Sequence, residues 1–349
     1  MNTLSISEVA KIAGVSTTTV SRVLNGKGYV SEEKKQKVMW AVHKTNYQPK
    51  KYKRGHNTSN ISNVIGVVVP DIGNSYFTGI IRGIDSIAQQ KGYEIFVCDT
   101  EENPGKEIKS ISSLYNSKVG GIIIAVASDM AEYNAEYLRN LNENGTPIVL
   151  VDRDLRIPGI ESVVMENSRG AKSAVDVLIE NGHNHIAILS GPTSSRTGVE
   201  RLNGYIESLQ EHGMALRQEY ICYGDFRPKS GYDLTKRILT MHPAVTAIFS
   251  SNQRMTLGCL QAITEAGLKI PDDISLISFG LPDTLKALGM AISHIYQPSP
   301  PLGEESARIL FSKIELGKKY KKMPSKRTIF STECVLLGSE KYPINKTER

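Results

Sequence analysis

The chain has 349 residues, 40% of them hydrophobic, and a formal net charge of +6; this is enough apolar content for a packed core and excludes a disordered chain. Residues 1–60 hold eleven basic and three acidic side chains, a net +8, leaving 31 basic and 33 acidic ones, a net −2, for 61–349, so a small basic head precedes a nearly neutral body of two or three domains in all. No apolar run reaches the roughly 18 residues that span a bilayer, the N-terminus lacks a signal-peptide pattern, and the four scattered cysteines, with no C-x-x-C pair, read as free thiols in a reducing cytoplasm.

From the N-terminus, residues 5–25 read as two short helices around a tight turn. Ser5 and Glu8 fit the S-x-x-E capping box, and Ile6, Val9, Ala10 and Ala13 form one apolar stripe at helical spacing. Gly14 suits a left-handed helix end. Ser16 can cap a second helix whose Val20, Val23 and Leu24 point inward, while Thr17, Thr18, Ser21, Arg22 and Asn25 form the polar face. A third helix starts after Ser31, with Glu32 and Glu33 in its first turn, favourable to the dipole. Val38, Ala41 and Val42 give its buried stripe. Three short helices with a glycine turn between the first two is helix-turn-helix organisation, in which the second helix lies in the major groove. Arg22 can make a bidentate guanine contact, and Thr17 and Thr18 can bond base edges. The alternative is a three-helix cap with a solvated face. The +8 favours DNA, because it supplies sequence-independent phosphate attraction.

The stretch ISEVAKIAGVSTTTVSRVLNGKGYVSEEKKQKVMWAVHKTNYQPK closely resembles the N-terminal domain of the lactose-repressor (LacI/GalR) family of bacterial transcription regulators. The V-S-T-T-T-V-S-R-V-L-N run, the Y-V-S-E-E that opens the third helix and the Y-x-P exit at Tyr47 carry the resemblance. It implies a DNA-binding domain over 1–49, with Thr17, Thr18 and Arg22 as the main base readers and Ser21, Asn25 and Tyr47 at the same interface. It also implies a homodimer on a palindromic operator of double-stranded DNA.

Residues 50–63, KKYKRGHNTSNISN, are polar and carry four cations; alone they read as a flexible linker. The resemblance implies a hinge helix that folds on DNA and drives a Leu into the minor groove. Counted from Tyr47 and Pro49, that position is His56, preceded by Gly55. Glycine weakens a helix by about 1 kcal/mol, and histidine is a poor apolar wedge. Cationic backbone contacts from Lys53 and Arg54 are therefore expected to replace part of the wedge, with Tyr52 or His56 as a partial insert.

Beyond the hinge, apolar strands alternate with amphipathic helices. Strands are expected at Val64–Pro70, Glu94–Asp99, Gly121–Val126, Ile148–Asp152, Ser162–Glu166, Ile186–Gly191, Ala247–Ser251 and Ile274–Phe279, with helices such as Phe77–Lys91, Arg169–Gly182 and Arg201–His212 between them. That alternation predicts an α/β body of parallel sheets with helices on both faces and ligands beyond the carboxyl ends of the strands. The resemblance continues through VIGVVVPDIGNSYF, IVLVDR, NGHNHIAILSGP, AIFSSN, EAGLKIPDDISLISFG and YQP. It implies a two-lobed, periplasmic-binding-protein-like effector core over 64–340. The crossovers are placed near 162, 292 and 324, so that lobe 1 takes about 64–162 and 292–324, and lobe 2 takes 163–291 and 325–340, including a final strand around Ile329–Leu336.

Enzyme motifs are missing: G-x-G-x-x-G does not follow the first strand, and G-x-S-x-G and G-x-x-x-x-G-K-[ST] are absent. No cofactor is expected. His183 and His185 lack a nearby third ligand and read as polar loop residues rather than a metal site. The tail after Ser339 has no Leu heptads, which argues against a tail-built tetramer.

Sugar sites combine an aromatic face with a few planar polar groups. Tyr76 and Phe77 follow the first strand and can stack on a ligand or pack locally. Asp152 and Arg153 end another strand, as ligand contacts or as a structural ion pair. The resemblance assigns effector contacts to Glu166 and Asn167, where relatives carry Asp-Asn, and to Arg201. Two departures stand out: Ser251-Asn252-Gln253 where relatives show an Asp third, and Phe279-Gly280-Leu281 where they show F-D-D. Two carboxylates are lost while Arg153, Arg196, Arg201 and Arg254 remain nearby. The effector is thus an acidic sugar or sugar phosphate, or a neutral sugar read by the Gln253 amide. Control by a protein partner, and a sugar-binding protein without DNA function, are the other readings.

Overall fold

The computed structural model describes residues 5–25, 30–45, 63–127, 132–241, 244–317 and 325–342. The head consists of α1 (Ile6–Ala13), α2 (Thr17–Asn25) and α3 (Glu32–Lys44). Its core holds seven of the expected residues, Val9, Ala10, Ala13, Val20, Val38, Ala41 and Val42, with the expected Ile6, Val23 and Leu24 partly buried against it. The Glu8 carboxylate accepts from the Ser5 N–H at 2.6 Å, Gly14 ends α1 with φ +64°, and Ser16 Oγ accepts from the Thr19 N–H at 3.1 Å.

The body holds two six-stranded sheets. The first lobe contains β1 (Val64–Val69), β2 (Glu94–Asp99), β3 (Ile122–Ile124), β4 (Ile148–Val151), β5 (Glu161–Met165) and β11 (Arg327–Phe330), in the order β11-β5-β4-β3-β1-β2, all parallel. The second contains β6 (Ile186–Ser190), β7 (Ile221–Tyr223), β8 (Ala247–Ser250), β9 (Ser275–Phe279), β10 (Ser293–Tyr296) and β12 (Glu333–Val335), in the order β12-β10-β9-β8-β6-β7. Only β12 runs antiparallel, against β10.

Alternate strand residues serve opposite faces. Val149 and Val151 join one core, while Ile148 and Leu150 join the other; Ile186 and Ile188 are likewise split from Ala187 and Leu189. Strands buried on both faces read as continuous apolar runs, which is why they were visible in the sequence. In the first lobe, α4 (Ser75–Gln90) and α12 (Ser299–Leu316) cover one face, and α5 (Pro104–Asn116) and α6 (Glu132–Glu143) the other. In the second, α7 (Asn167–Glu180) and α8 (Arg196–Glu211) lie opposite α9 (Pro228–Ile238), α10 (Gln253–Glu265) and the short α11 (Asp283–Ala287). The helices α4 and α12 cross at glycines: a Cβ on Gly83 would lie 2.1 Å from the Pro300 carbonyl oxygen, and one on Gly303 2.0 Å from that of Ile80. Only a bare Cα permits that approach.

The crossovers differ from expectation. The first falls after Met165, not near 162, because β5 pairs along its length with β4 and β11 in the first sheet. The second falls after Tyr296, not near 292, because β10 pairs with β9 in the second sheet before α12 packs on the first lobe. The third falls at residues 331–332, not near 324. The expected single final strand is two strands, β11 beside β5 and β12 beside β10. No glycine or proline marks that exchange, so the sequence reads as one run. Two short strands, β7 and β10, were also missed: three residues are too few for a period, and Ser293-His294 dilutes the other.

His183 sits in the turn before β6, as the polar loop residue expected. It is fully buried, with Nδ1 2.9 Å from Thr246 Oγ1 and Nε2 3.1 Å from the Glu340 carbonyl oxygen, and so holds the C-terminal segment to the second lobe. The four cysteines are free thiols. Among the described residues no helix is long and apolar enough to cross a membrane, and no cluster of three or more His, Cys, Asp or Glu side chains could hold a metal.

Candidate DNA interface and effector cleft

On the head, Thr17, Thr18 and Arg22 are exposed along the outer face of α2, Ser21 is half-buried, and Asn25 is the last residue of the helix. Tyr47, Lys53, Arg54, His56 and the rest of the expected hinge up to residue 62 lie outside the described residues.

The body carries a cavity of about 570 Å³ between the lobes, at the carboxyl ends of the strands. Tyr76, Phe77, Asp152, Arg153, Arg201, Asn252 and Gln253, all expected from sequence, line it. Six non-glycine residues among those described have positive φ, and four of them, Glu101, Glu102, Asp152 and Phe226, line this cavity. Left-handed backbone at a non-glycine residue costs about 1–3 kcal/mol and persists where the surroundings enforce it. Here the strand ends accept that strain and turn side chains into the cleft.

Tyr76 and Phe77 meet edge to face, with centroids 5.1 Å apart. The Tyr76 hydroxyl donates to Asp152 Oδ1 at 2.7 Å. Both Tyr76 and Asp152 are buried, and burial pushes both pKa values up. Arg201 reaches in from α8. It donates from Nε to Asn167 Oδ1 at 3.0 Å and from Nη1 to the Ser251 carbonyl at 2.8 Å, and its guanidinium lies 3.8 Å over the Phe279 ring. Burial lowers its pKa to about 10, while Asp152, facing it from the other lobe, favours the charged form.

Arg153 is committed elsewhere. Its Nη1 and Nη2 donate to the two Glu102 carboxylate oxygens, each at 2.7 Å, and Nη1 also reaches the carbonyls of Val126 (2.8 Å) and Ala127 (2.9 Å). The expected pairing with Asp152 is only a 3.8 Å approach. Behind it, buried Glu107 accepts from the Ala127 N–H and from Asn134 Nδ2, and burial pushes its pKa up to about 8.

Glu166 and Asn167 do not line the cavity. Glu166 precedes α7 at the first crossover, with its carboxylate turned to Arg169 at 3.5 Å; Asn167 stands one layer back and orients Arg201. Asn252 caps α10, its Oδ1 accepting from the Arg254 and Met255 N–H groups at 2.8 and 3.0 Å. Gln253 reaches across to the first lobe, where its amide meets the Asn74 side chain and Ser75 Oγ, the latter at 3.1 Å. With that amide rotated by half a turn, its oxygen accepts from Ser75 Oγ and the Tyr76 N–H, and its nitrogen donates to the Leu281 carbonyl at 3.3 Å.

Phe226 and Gln297 also line the cleft and were not singled out from sequence. Each follows one of the two missed strands, so the strand-end rule had nothing to point from. Gly280, φ +82°, sits under Gln297: a Cβ there would lie 2.1 Å from Gln297 Oε1. The lost carboxylate at 280 thus makes room for an amide.

Residues 62–317 match the family model for periplasmic binding proteins and the sugar-binding domain of the LacI family, and residues 5–50 match the model for bacterial regulatory proteins of the lacI family. The chain belongs to the LacI family of bacterial regulatory proteins. Within that family, it is 34% identical over 317 residues to the HTH-type transcriptional repressor PurR of Histophilus somni, covering 90% of this chain and 94% of that one. The solved complex of the transcriptional regulator CelR with cellobiose matches at a TM-score of 0.72 and 25% identity, covering 96% of this chain and 99% of the other. A LacI-family regulator from Enterococcus faecium with bound ribose matches at 0.70 and 25%, covering 80% and 99%. The protein is therefore a DNA-binding transcriptional regulator with an effector-binding core, not an enzyme.

Proposed function

We propose that this LacI-family member is a cytoplasmic repressor that binds a palindromic operator as a homodimer, and that its effector is a neutral sugar. The observation that carries the effector reading is the buried Asp152–Arg201 pair facing each other across a cavity flanked by Tyr76, Phe77 and Phe226. One acceptor, one rigid donor fork and aromatic walls suit hydroxyls on a ring. The expectation of an acidic ligand loses its support. Arg153 is matched by Glu102 and Arg254 by Asp71, Arg196 is not among the lining residues, and the lining carries five carboxylates against five cations. The relatives with bound cellobiose and ribose favour the same reading.

A melting screen tests it, since a ligand that binds only the native state raises stability with its concentration. Neutral mono- and disaccharides are expected to raise the Tm, and sugar acids and phosphates to leave it unchanged. The reverse pattern, or no shift with any sugar, overturns the reading; the latter favours a protein partner.

For DNA, Thr17, Thr18, Ser21 and Arg22 are proposed as base readers on α2, with Asn25 and Tyr47 beside them and Lys53, Arg54 and His56 at the hinge. Dimerisation is supported by exposed apolar residues on the corresponding edge strands of the two sheets, Phe96 and Val97 on β2 and Tyr223 on β7, which a second copy would cover. Titration of an operator is expected to end at two chains per duplex. Arg22→Ala is expected to lose about 1–3 kcal/mol at one base pair of each half-site. An equal loss on random DNA would make Arg22 a phosphate contact only.

A further inference from the structure

Between the lobes, the loop after β1 meets the start of α10. Arg254 Nη1 donates to Asp71 Oδ2 at 2.6 Å, and both side chains are about two-thirds buried or more. The other Asp71 oxygen is fixed by the Gly73 N–H at 2.8 Å. A Cβ on Gly73 would lie 2.9 Å from Arg254 Nη1 and 3.1 Å from Asp71 Oδ1, so a glycine there leaves the ion pair its space. One residue away, Gln253 bridges to Ser75 and Asn74. In either amide orientation Gln253 meets Ser75 Oγ at 3.1 Å, as donor in one and as acceptor in the other.

The surrounding charge is divided by lobe. The first lobe's share of the cavity lining has four carboxylates and one guanidinium, and the second lobe's has four cations and one carboxylate. Opposed walls of net −3 and +3 attract across the cleft, and ions that screen them weaken that attraction.

We propose that Arg254–Asp71 and Gln253–Ser75 form a latch that favours the closed cleft on its own account, because every bond in it is made by protein atoms. The effector then acts on an equilibrium already biased toward closure, and ionic strength is a second input to it. A ligand shifts such an equilibrium only by its differential affinity for the two states, so the latch sets how much of that shift remains for the effector to supply. The inference deepens the effector reading by naming how the same cleft is regulated. Its test uses no effector, so its failure leaves the neutral-sugar reading standing.

Hydrogen–deuterium exchange on the full chain provides the test. Arg254→Met is expected to speed exchange of peptides covering 71–76 and 252–256 about tenfold, the scale of one charge-assisted hydrogen bond, with α12 peptides unchanged. Asp71→Asn should give the same change, which covers the case of an unstable Arg254 variant. The double variant should exchange no faster than either single one. Raising salt from about 0.05 to about 0.5 M should speed those peptides in the native protein and clearly less in Arg254→Met, whose walls keep −3 and +2. Unchanged exchange in both single variants, or an equal salt response with and without Arg254, overturns the latch.

Discussion

Replacing Lys313 with Met is expected to cost about 3–5 kcal/mol, the range for removing one partner of a buried ion pair. Lys313 is only 7% exposed on α12. Its ammonium pairs with buried Glu161 on β5 and donates to the Ile148 carbonyl at 3.0 Å. Burial pulls the Lys313 pKa down, and Glu161 opposes that by favouring the charged form. Without the ammonium, the Glu161 carboxylate stays buried with no cation beside it. The urea midpoint should fall with the m-value unchanged. The double variant Lys313→Met, Glu161→Met should regain more than half of the loss, since apolar replacement of a whole buried pair is often near neutral. A single-variant cost below about 1 kcal/mol would show that the pair is solvated enough to behave as a surface one.

Arg201→Ala is expected to abolish the response to whichever neutral sugar raises the Tm, weakening its binding by about thirtyfold or more, the equivalent of about 2 kcal/mol. The loss has two sources. The ligand loses the donor fork, and Asp152 loses the cation that faces it. Arg201→Lys keeps the charge but not the geometry that reaches Asn167 and Ser251 together, so it should retain only part of the response. The check is the Tm shift across a sugar titration for native protein, Lys and Ala variants. A native-like titration in the Ala variant would remove Arg201 from the effector site.

Both halves of the molecule were legible in the sequence, for different reasons. The head was visible because its caps and stripe are local: Ser5–Glu8, Gly14 and the Val20–Leu24 spacing each specify their own turn. The strands were visible where apolar side chains fill both faces, as in Ile122–Ile124 and Ile148–Val151, and β10 was missed because buried Ser293 and His294 are polar. The reach of a side chain was not legible. Glu166 and Asn167 sit where a strand-end rule puts ligand contacts, yet the crossover after Met165 turns one outward and sets the other behind Arg201. Arg153 read as a ligand contact or as the ion-pair partner of its neighbour Asp152, because its actual partner Glu102 stands 51 residues away. Gln253 looked like a loss of charge in the cleft, whereas its contacts are with the opposite lobe. Each of these depends on which elements face each other across the cleft, and adjacency in the chain does not encode that.

The exchange of β11 into one sheet and β12 into the other has a consequence for how the protein can be damaged. Nine residues, Arg327–Val335, supply an edge strand to each lobe. A frameshift, a premature stop or a protease cut just before residue 327 would strip both sheets at once, exposing β5 and β10 as raw edges open to pairing with other chains. No cut yields a clean single-lobe fragment, because each lobe is assembled from separated stretches of the chain. Loss of these few late residues should therefore register as aggregation of the whole core rather than as a sensor lacking one half.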